Sequence, residues 1–168
     1  APPGTARSDS SYQDVQQVEG RHQLLVFALG EIEFAVPVEH TTEIGMVPEL
    51  TRLPHVPEWL LGITNLRGDI VSVVDMKNFL GMGPFDFTGN DRIILLRSLQ
   101  EDICTAVIVN RIAGMQYVAE EDISRPDAGH QSTEPHIRGV FEMDGRSIAI
   151  LDIESLLLSD DMQQFRAM

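Results

Sequence analysis

Residues 62–80 recur at 139–157. Gly62 falls on Gly139, Gly68 on Gly145, Asp75 on Asp152 and Leu80 on Leu157, each 77 positions later and without a gap. The apolar positions follow: Ile63 on Val140, Leu66 on Met143, Val71 on Ile148, Val73 on Ile150, Val74 on Leu151, Met76 on Ile153 and Phe79 on Leu156. Any strand, turn, strand and capped helix would align in part, but the shared glycines, cap and apolar phase favour a repeated unit. Asp75 and Asp152 stand where a helix N-cap is needed, and Gly81 can end the first helix. Two copies of a small β-lobe, each finished by a short capped helix, satisfy the pattern. Closing each lobe into a barrel would leave no long edge to aggregate.

Hydrophobic alternation supplies strands on either side. In HQLLVFALGEIEFAVPV, Leu25, Phe27 and Leu29 share a face, Gly30-Glu31 makes a turn, and Phe34 and Val36 resume the pattern, which reads as a hairpin. RIILLRSL and ICTAVIV read as two more strands across the polar QED, and Asp144-Gly145 marks a tight hairpin turn. VEHTTEIG reads as a short helical turn, and the two prolines of LPHVPEWLLG break regular structure. Residues 1–20 are rich in Pro, Gly, Ser, Gln and Asp and cannot repay the entropy of ordering. They are expected to be a flexible tail, ahead of a folded unit at 21–158 and a helical extension at 159–168.

The formal net charge is -14, and its 12 cations are scattered, with Lys77 the single lysine. Nucleic acid and anionic lipid both need clustered positive charge, so neither is an expected partner, and mixed or basic protein surfaces are. No apolar stretch reaches bilayer length and the first residues lack the apolar segment of a secretion signal, which points to the cytoplasm. A single cysteine, Cys104, lies in ICTAVIV; it excludes an internal disulfide and is expected to be a small buried filler.

Catalytic signatures are missing. There is no GxxxxGK[ST] loop, GMGPFD lacks the third glycine of a dinucleotide fingerprint, and GxSxG does not occur. His22, His40, His55, His130 and His136 show no zinc spacing, and the last two are expected to be solvated in a polar loop. AEEDISRPD lacks the ligand order of a calcium loop. No cofactor and no metal is expected. Asp69 and Asp75 could be imagined as an acid/base pair, but the recurrence of Asp75 at Asp152 fits a capping role better.

The repeat isolates one residue. Arg67-Gly68-Asp69 in the first copy becomes Asp144-Gly145-Arg146 in the second, so the turn asks only for glycine and polar neighbours. The guanidinium of Arg67 is therefore free for recognition, a surface salt bridge being the plain alternative.

At GITNLRGDIVSVVDM the chain resembles the CheW family, the coupling proteins of bacterial chemosensory arrays. LLVFALGEIEFAVPVEHTTEI resembles the family's opening hairpin and the segment ending in Glu-Ile, LPHVPEWLLG its proline-containing link, and HIRGVFEMDGRSIAILDIESLL its C-terminal hairpin and helix. The likeness runs from about residue 22 to about 158. It implies a mostly β fold of two small five-stranded, SH3-like barrels sharing a hydrophobic core, no catalysis and no cofactor. It implies binding to the regulatory domain of a CheA-type histidine kinase and to the cytoplasmic tip of chemoreceptors. Position by position, it places Gly62, Asn65, Leu66, Arg67 and Gly68 in the partner-contacting region, with Glu43 and Ile44 of EHTTEIG. Arg67 would offer a fork of donors to a carboxylate or backbone carbonyls, and the glycines would let the partner approach closely. The chain departs from the pattern at Asn110-Arg111, where many members carry Asp-Gly. Two other readings compete: a kinase-binding scaffold or inhibitor that does not touch receptors, and a small acidic hydrolase using Asp69 or Asp75 with a histidine. The second requires a histidine within reach of the carboxylate.

Overall fold

The structure is a computed structural model that describes residues 20–125 and 134–165. Ten strands dominate it: β1 Arg21–Leu29, β2 Ile32–Pro37, β3 Thr41–Met46, β4 Leu60–Leu66, β5 Asp69–Asp75, β6 Arg92–Arg97, β7 Cys104–Val109, β8 Arg111–Ala119, β9 Ile137–Met143 and β10 Arg146–Leu151. Three short helices follow strands or each other: α1 Met76–Phe79, α2 Ile153–Leu157 and α3 Asp160–Gln163. The strands form two five-stranded sheets, in the orders β3-β6-β7-β5-β4 and β8-β1-β2-β10-β9. The first lobe is one continuous stretch of chain. The second borrows its β1–β2 hairpin from the N-terminal end and joins it to β8, β9 and β10.

The sequence repeat survives in three dimensions down to its irregularities. Leu60 pairs with Val74 and Gly62 with Val73, leaving Leu61 as a bulge; 77 residues on, Ile137 pairs with Leu151 and Gly139 with Ile150, leaving Arg138 as a bulge. The amide of Asp75 donates to the Trp59 carbonyl at 2.7 Å, and that of Asp152 to the His136 carbonyl at 2.8 Å. Each lobe holds one parallel pair, β5 with β7 and β10 with β2, among antiparallel neighbours. Both predicted caps form: Asp75 Oδ1 accepts from the Asn78 amide and Asp152 Oδ1 from the Ser155 amide, each at 3.0 Å.

The fold is mostly β with two five-stranded lobes, but neither sheet closes into a barrel. Among the described residues, the chain after β3 makes a backbone bridge to β4 at Thr51–Ile63 alone, and the chain after β8 makes one to β9 at Ser124–Val140 alone, in place of a continuous ladder. In the first lobe the linking segment carries Pro48, Pro54 and Pro57, which have no amide hydrogen to extend a ladder.

A shared core lies between the lobes. Leu25, Phe27, Leu29, Phe34 and Val36 meet Ile94, Leu96, Val107 and Val109 there, with Met76, Leu156 and Leu157 from the helices. The other faces of the same strands fill each lobe's interior, with Leu24, Val26, Ala35 and Ile150 in one and Val71, Val73, Ile93 and Ala106 in the other. Central strands are thus buried on both faces, which is why LLVFAL and IILL read as unbroken apolar runs. Each fully buried Leu, Ile or Phe contributes about 1.5–3 kcal/mol.

Several expectations need correction. VEHTTEIG is not one helical turn: Val38–His40 makes a 3-10 turn, and Thr41–Met46 is strand β3, held by pairing with β6. Cys104 is exposed rather than buried, because it opens β7 just before the strand enters the core. His136 is half-buried against the Phe79 ring, centroids 5.7 Å apart, with Nδ1 3.0 Å from Ser155 Oγ, and burial lowers its pKa. His130 and the tail at residues 1–19 lie outside the described residues. Asn110-Arg111 sits where the chain crosses between lobes. Asn110 Oδ1 accepts from the Gly30 amide at 2.6 Å, and its Nδ2 donates at 2.9 Å to both the Asp86 carbonyl and Asp91 Oδ1.

Candidate functional site

Arg67 and Gly68 form the turn between β4 and β5 with φ of 55° and 90°, both in the left-handed region. A two-residue hairpin of this twist requires that geometry. At the matching turn, Asp144 and Gly145 have φ of 53° and 77°. Aspartate tolerates the left-handed conformation because its short side chain can hydrogen-bond locally; arginine has no such compensation. Asn65 supports the turn, its Oδ1 accepting from the Gly68 amide at 2.9 Å.

The Arg67 side chain is 80% exposed, and its Nε lies 3.4 Å from Glu43 Oε1. Glu43 belongs to β3 and Arg67 to the β4–β5 turn, at opposite edges of the same five-stranded sheet. The pair therefore spans the open seam of the lobe. As an exposed ion pair it is worth about 0–1 kcal/mol. Beneath it opens a cleft of about 660 Å³, lined among others by Leu66, Asp69, Ile70, Ser72 and Cys104. Ile70 is 56% exposed and gives the cleft mouth an apolar side. Cys104 is exposed to this cleft, yet partial desolvation at the cleft wall, followed by the negative charge of Asp69, raises its thiol pKa and makes it a poor nucleophile.

The residues expected at the site thus separate. Glu43, Leu66 and Arg67 converge on the cleft, and Asn65 and Gly68 build the turn that presents Arg67. Ile44 is an exposed neighbour on β3, paired with Ile94 across the strand, so its side chain leaves from the face opposite Glu43, as does that of exposed Met46. Gly62 has a structural task. At φ 153° its backbone runs so close to Thr51 that an added Cβ would stand 2.5 Å from the Thr51 carbonyl oxygen. Asp69 and Ile70 are not among the contact residues that the resemblance implies, although period-two alternation from buried Val71 and Val73 puts Ile70 on the outward face.

Among the described residues no acid/base arrangement of the kind a hydrolase needs forms at Asp69 or Asp75. Both Asp75 carboxylate oxygens accept from backbone amides, Oδ1 from Asn78 and Oδ2 from Phe85. Burial pushes the Asp75 pKa up against the opposing pull of those bonds. Among the described residues no histidine lines the cleft that holds Asp69. Among the described residues no cluster of three His, Cys, Asp or Glu side chains is set to hold a metal ion, and no helix is long and apolar enough to cross a membrane.

The CheW-like domain model matches residues 23–161. This chain belongs to the CheW-like domain family. A probable chemotaxis protein CheW from Rhizobium etli is 29% identical over 139 residues, covering 82% of this chain and 88% of that protein. Protein FrzA of Myxococcus xanthus is 25% identical over 134 residues, covering 80% and 82%. The crystal structure of the scaffolding protein TtCheW from Thermoanaerobacter tengcongensis superposes with a TM-score of 0.76 at 24% identity, covering 86% of this chain and 98% of that one. As a CheW-like protein, the chain takes its place among the coupling adaptors of chemotaxis.

Proposed function

We propose that this CheW-like chain couples chemoreceptors to a CheA-type histidine kinase in the cytoplasm, through protein contacts alone, and that the Glu43–Arg67 cleft is one of its partner surfaces. The observation that carries the assignment of the site is Arg67 itself. An exposed arginine occupies a backbone conformation that folding fills more comfortably with aspartate at the equivalent turn, and among the described residues its ion pair is a weak one with Glu43 across an open seam. A carboxylate or a row of carbonyls on a partner can take over the guanidinium at little cost to the fold. Exposed Ile70 beside it adds the apolar contact that a central arginine needs to become a dominant contributor.

Reconstitution of kinase activity with candidate receptors, with and without this chain, tests the coupling. Receptor control of the kinase should appear only when the chain is present. Kinase binding without receptor control would make it a scaffold or inhibitor of the same fold instead.

A further inference from the structure

One carboxylate crosses from the second lobe to the first. Glu154 lies in the first turn of α2, which follows β10, and its side chain ends on the turn between β6 and β7. Oε1 accepts from the Ser98 hydroxyl and Oε2 from the Leu99 amide, each at 2.6 Å. His40 meets them from the 3-10 turn that carries the chain from β2 to β3, where it is 6% exposed. Its Nδ1 donates to the Arg97 carbonyl at 3.0 Å and lies 3.8 Å from Glu154 Oε2.

Burial works against the charge on Glu154, but the bonds from Ser98 and Leu99 and the nearby His40 outweigh it and hold its pKa below the ordinary carboxylate value. At neutral pH it is therefore an anion that receives donors. The repeated helix does not itself call for a carboxylate here. The counterpart 77 residues earlier is Lys77, which pairs at 3.2 Å with Asp86 in the loop that follows α1. In the second lobe the corresponding turn, between β1 and β2, has its Gly30 amide held by Asn110. A side-chain acceptor at this turn thus recurs, and only in the first lobe does it come from the other half of the molecule.

A hydroxyl has one proton and two lone pairs. The Ser98 proton goes to Glu154, while Ser98 Oγ accepts from the Gln100 amide at 3.0 Å and the Glu101 amide at 2.9 Å. Ser98 is 5% exposed, so water has little access to replace these bonds. Taking the carboxylate away frees the proton to rotate and sets it in competition with the two amides. The far side of the same turn is a wall of the Glu43–Arg67 cleft, formed by Asp102, Ile103 and Cys104. It is joined back to Ser98, whose amide donates to the Ile103 carbonyl at 3.0 Å.

We propose, on the reading of that cleft as a partner surface, that Glu154 is a positioning residue for it: from the second lobe it orients the Ser98 hydroxyl, and through that hydroxyl it fixes the β6–β7 wall of the cleft. An adaptor gains from this a direct link between its halves, because any shift of α2 moves the anchor of the wall against which a partner rests on the first lobe.

Hydrogen exchange on the full chain at neutral pH reads the turn. Glu154→Ala should speed exchange at the Gln100 and Glu101 amides, which Glu154 does not touch, by about tenfold or more, with the amides of β1 and β10 unchanged, so that a loosened turn is told apart from a weakened fold. Binding to whichever of kinase and receptor responds to Arg67→Asn should fall about tenfold in Glu154→Ala and in Ser98→Ala, and no further in the double variant, because both act through one hydroxyl. Glu154→Gln, which keeps one acceptor oxygen, should fall between. Unchanged exchange at Gln100 and Glu101, or additive losses in the double variant, would overturn the proposal. Binding lost in Arg67→Asn but kept in Glu154→Ala would overturn it and leave the cleft reading standing, whereas binding untouched by all of these variants would overturn both.

Discussion

Arginine at a left-handed turn position and glycine beneath a crossing strand are both exceptions to ordinary backbone chemistry, and they give opposite predictions. Arg67→Asn substitutes a residue at ease with φ near 55°, so the unfolding free energy should rise by about 0.5–1 kcal/mol in urea titrations. The same change removes the guanidinium and should weaken binding to receptor or kinase by about tenfold or more, equivalent to about 1.4 kcal/mol. Stability and binding moving together would show that Arg67 is there for the fold. Gly62→Ala should do the reverse of the first effect. Its methyl group meets the Thr51 carbonyl oxygen, and the cost should be about 1–3 kcal/mol, read as a lower urea midpoint. The need for glycine at 62 and 139 was visible in the sequence as recurrence. Its cause was not, since Thr51, which crowds Gly62, is 11 residues upstream, and Ile123 and Ser124, which crowd Gly139, are 16 and 15 upstream.

Among elements, the hairpins and capped helices could be read directly because their determinants are local: a turn residue, an alternation, an aspartate before an apolar run. Strand β3 could not. TTEIGM is short, contains glycine, and becomes a strand only because Arg92–Leu96 lies alongside it, some 50 residues later in the chain. The meeting of Glu43 with Arg67 was hidden for the same reason, as it depends on two sheet edges curling toward each other. Two buried aspartates that anchor connecting segments allow a test by pH. Burial works against the charge on Asp91, but bonds from Thr88 and Asn110 outweigh it and hold its pKa below 3.8. Its stabilisation is therefore full above that pH and is lost as pH falls through the lower, folded value. Asp75 is shifted the other way, so the native state takes up its proton first and the contribution of this group grows as pH falls toward 3.8. Urea titrations between about pH 7 and about pH 3 should show the difference between the parent and Asp91→Asn shrinking, while that between the parent and Asp75→Asn moves in the opposite sense. Parallel changes would mean that the two carboxylates sit in like surroundings.

The whole molecule is held by one core that both sheets share, and the strands lining it turn their other faces into separate lobe interiors. Neither lobe can leave the other without exposing Phe27, Ile94, Leu96 and Val107 to water. Unfolding should accordingly be a single transition, with Trp59 fluorescence from the first lobe and hydrogen exchange in β1 and β10 from the second giving one midpoint. Two separated midpoints would show that the lobes are independent. Synthesis imposes a further condition. The strands from β3 to β7 leave the ribosome in an unbroken series and can assemble as they appear, whereas the hairpin made first must wait for strands that are translated last. During that interval Leu24, Val26, Phe34 and Ala35 have no permanent cover on one side or the other, so the N-terminal hairpin is the part of the nascent chain with most need of a chaperone.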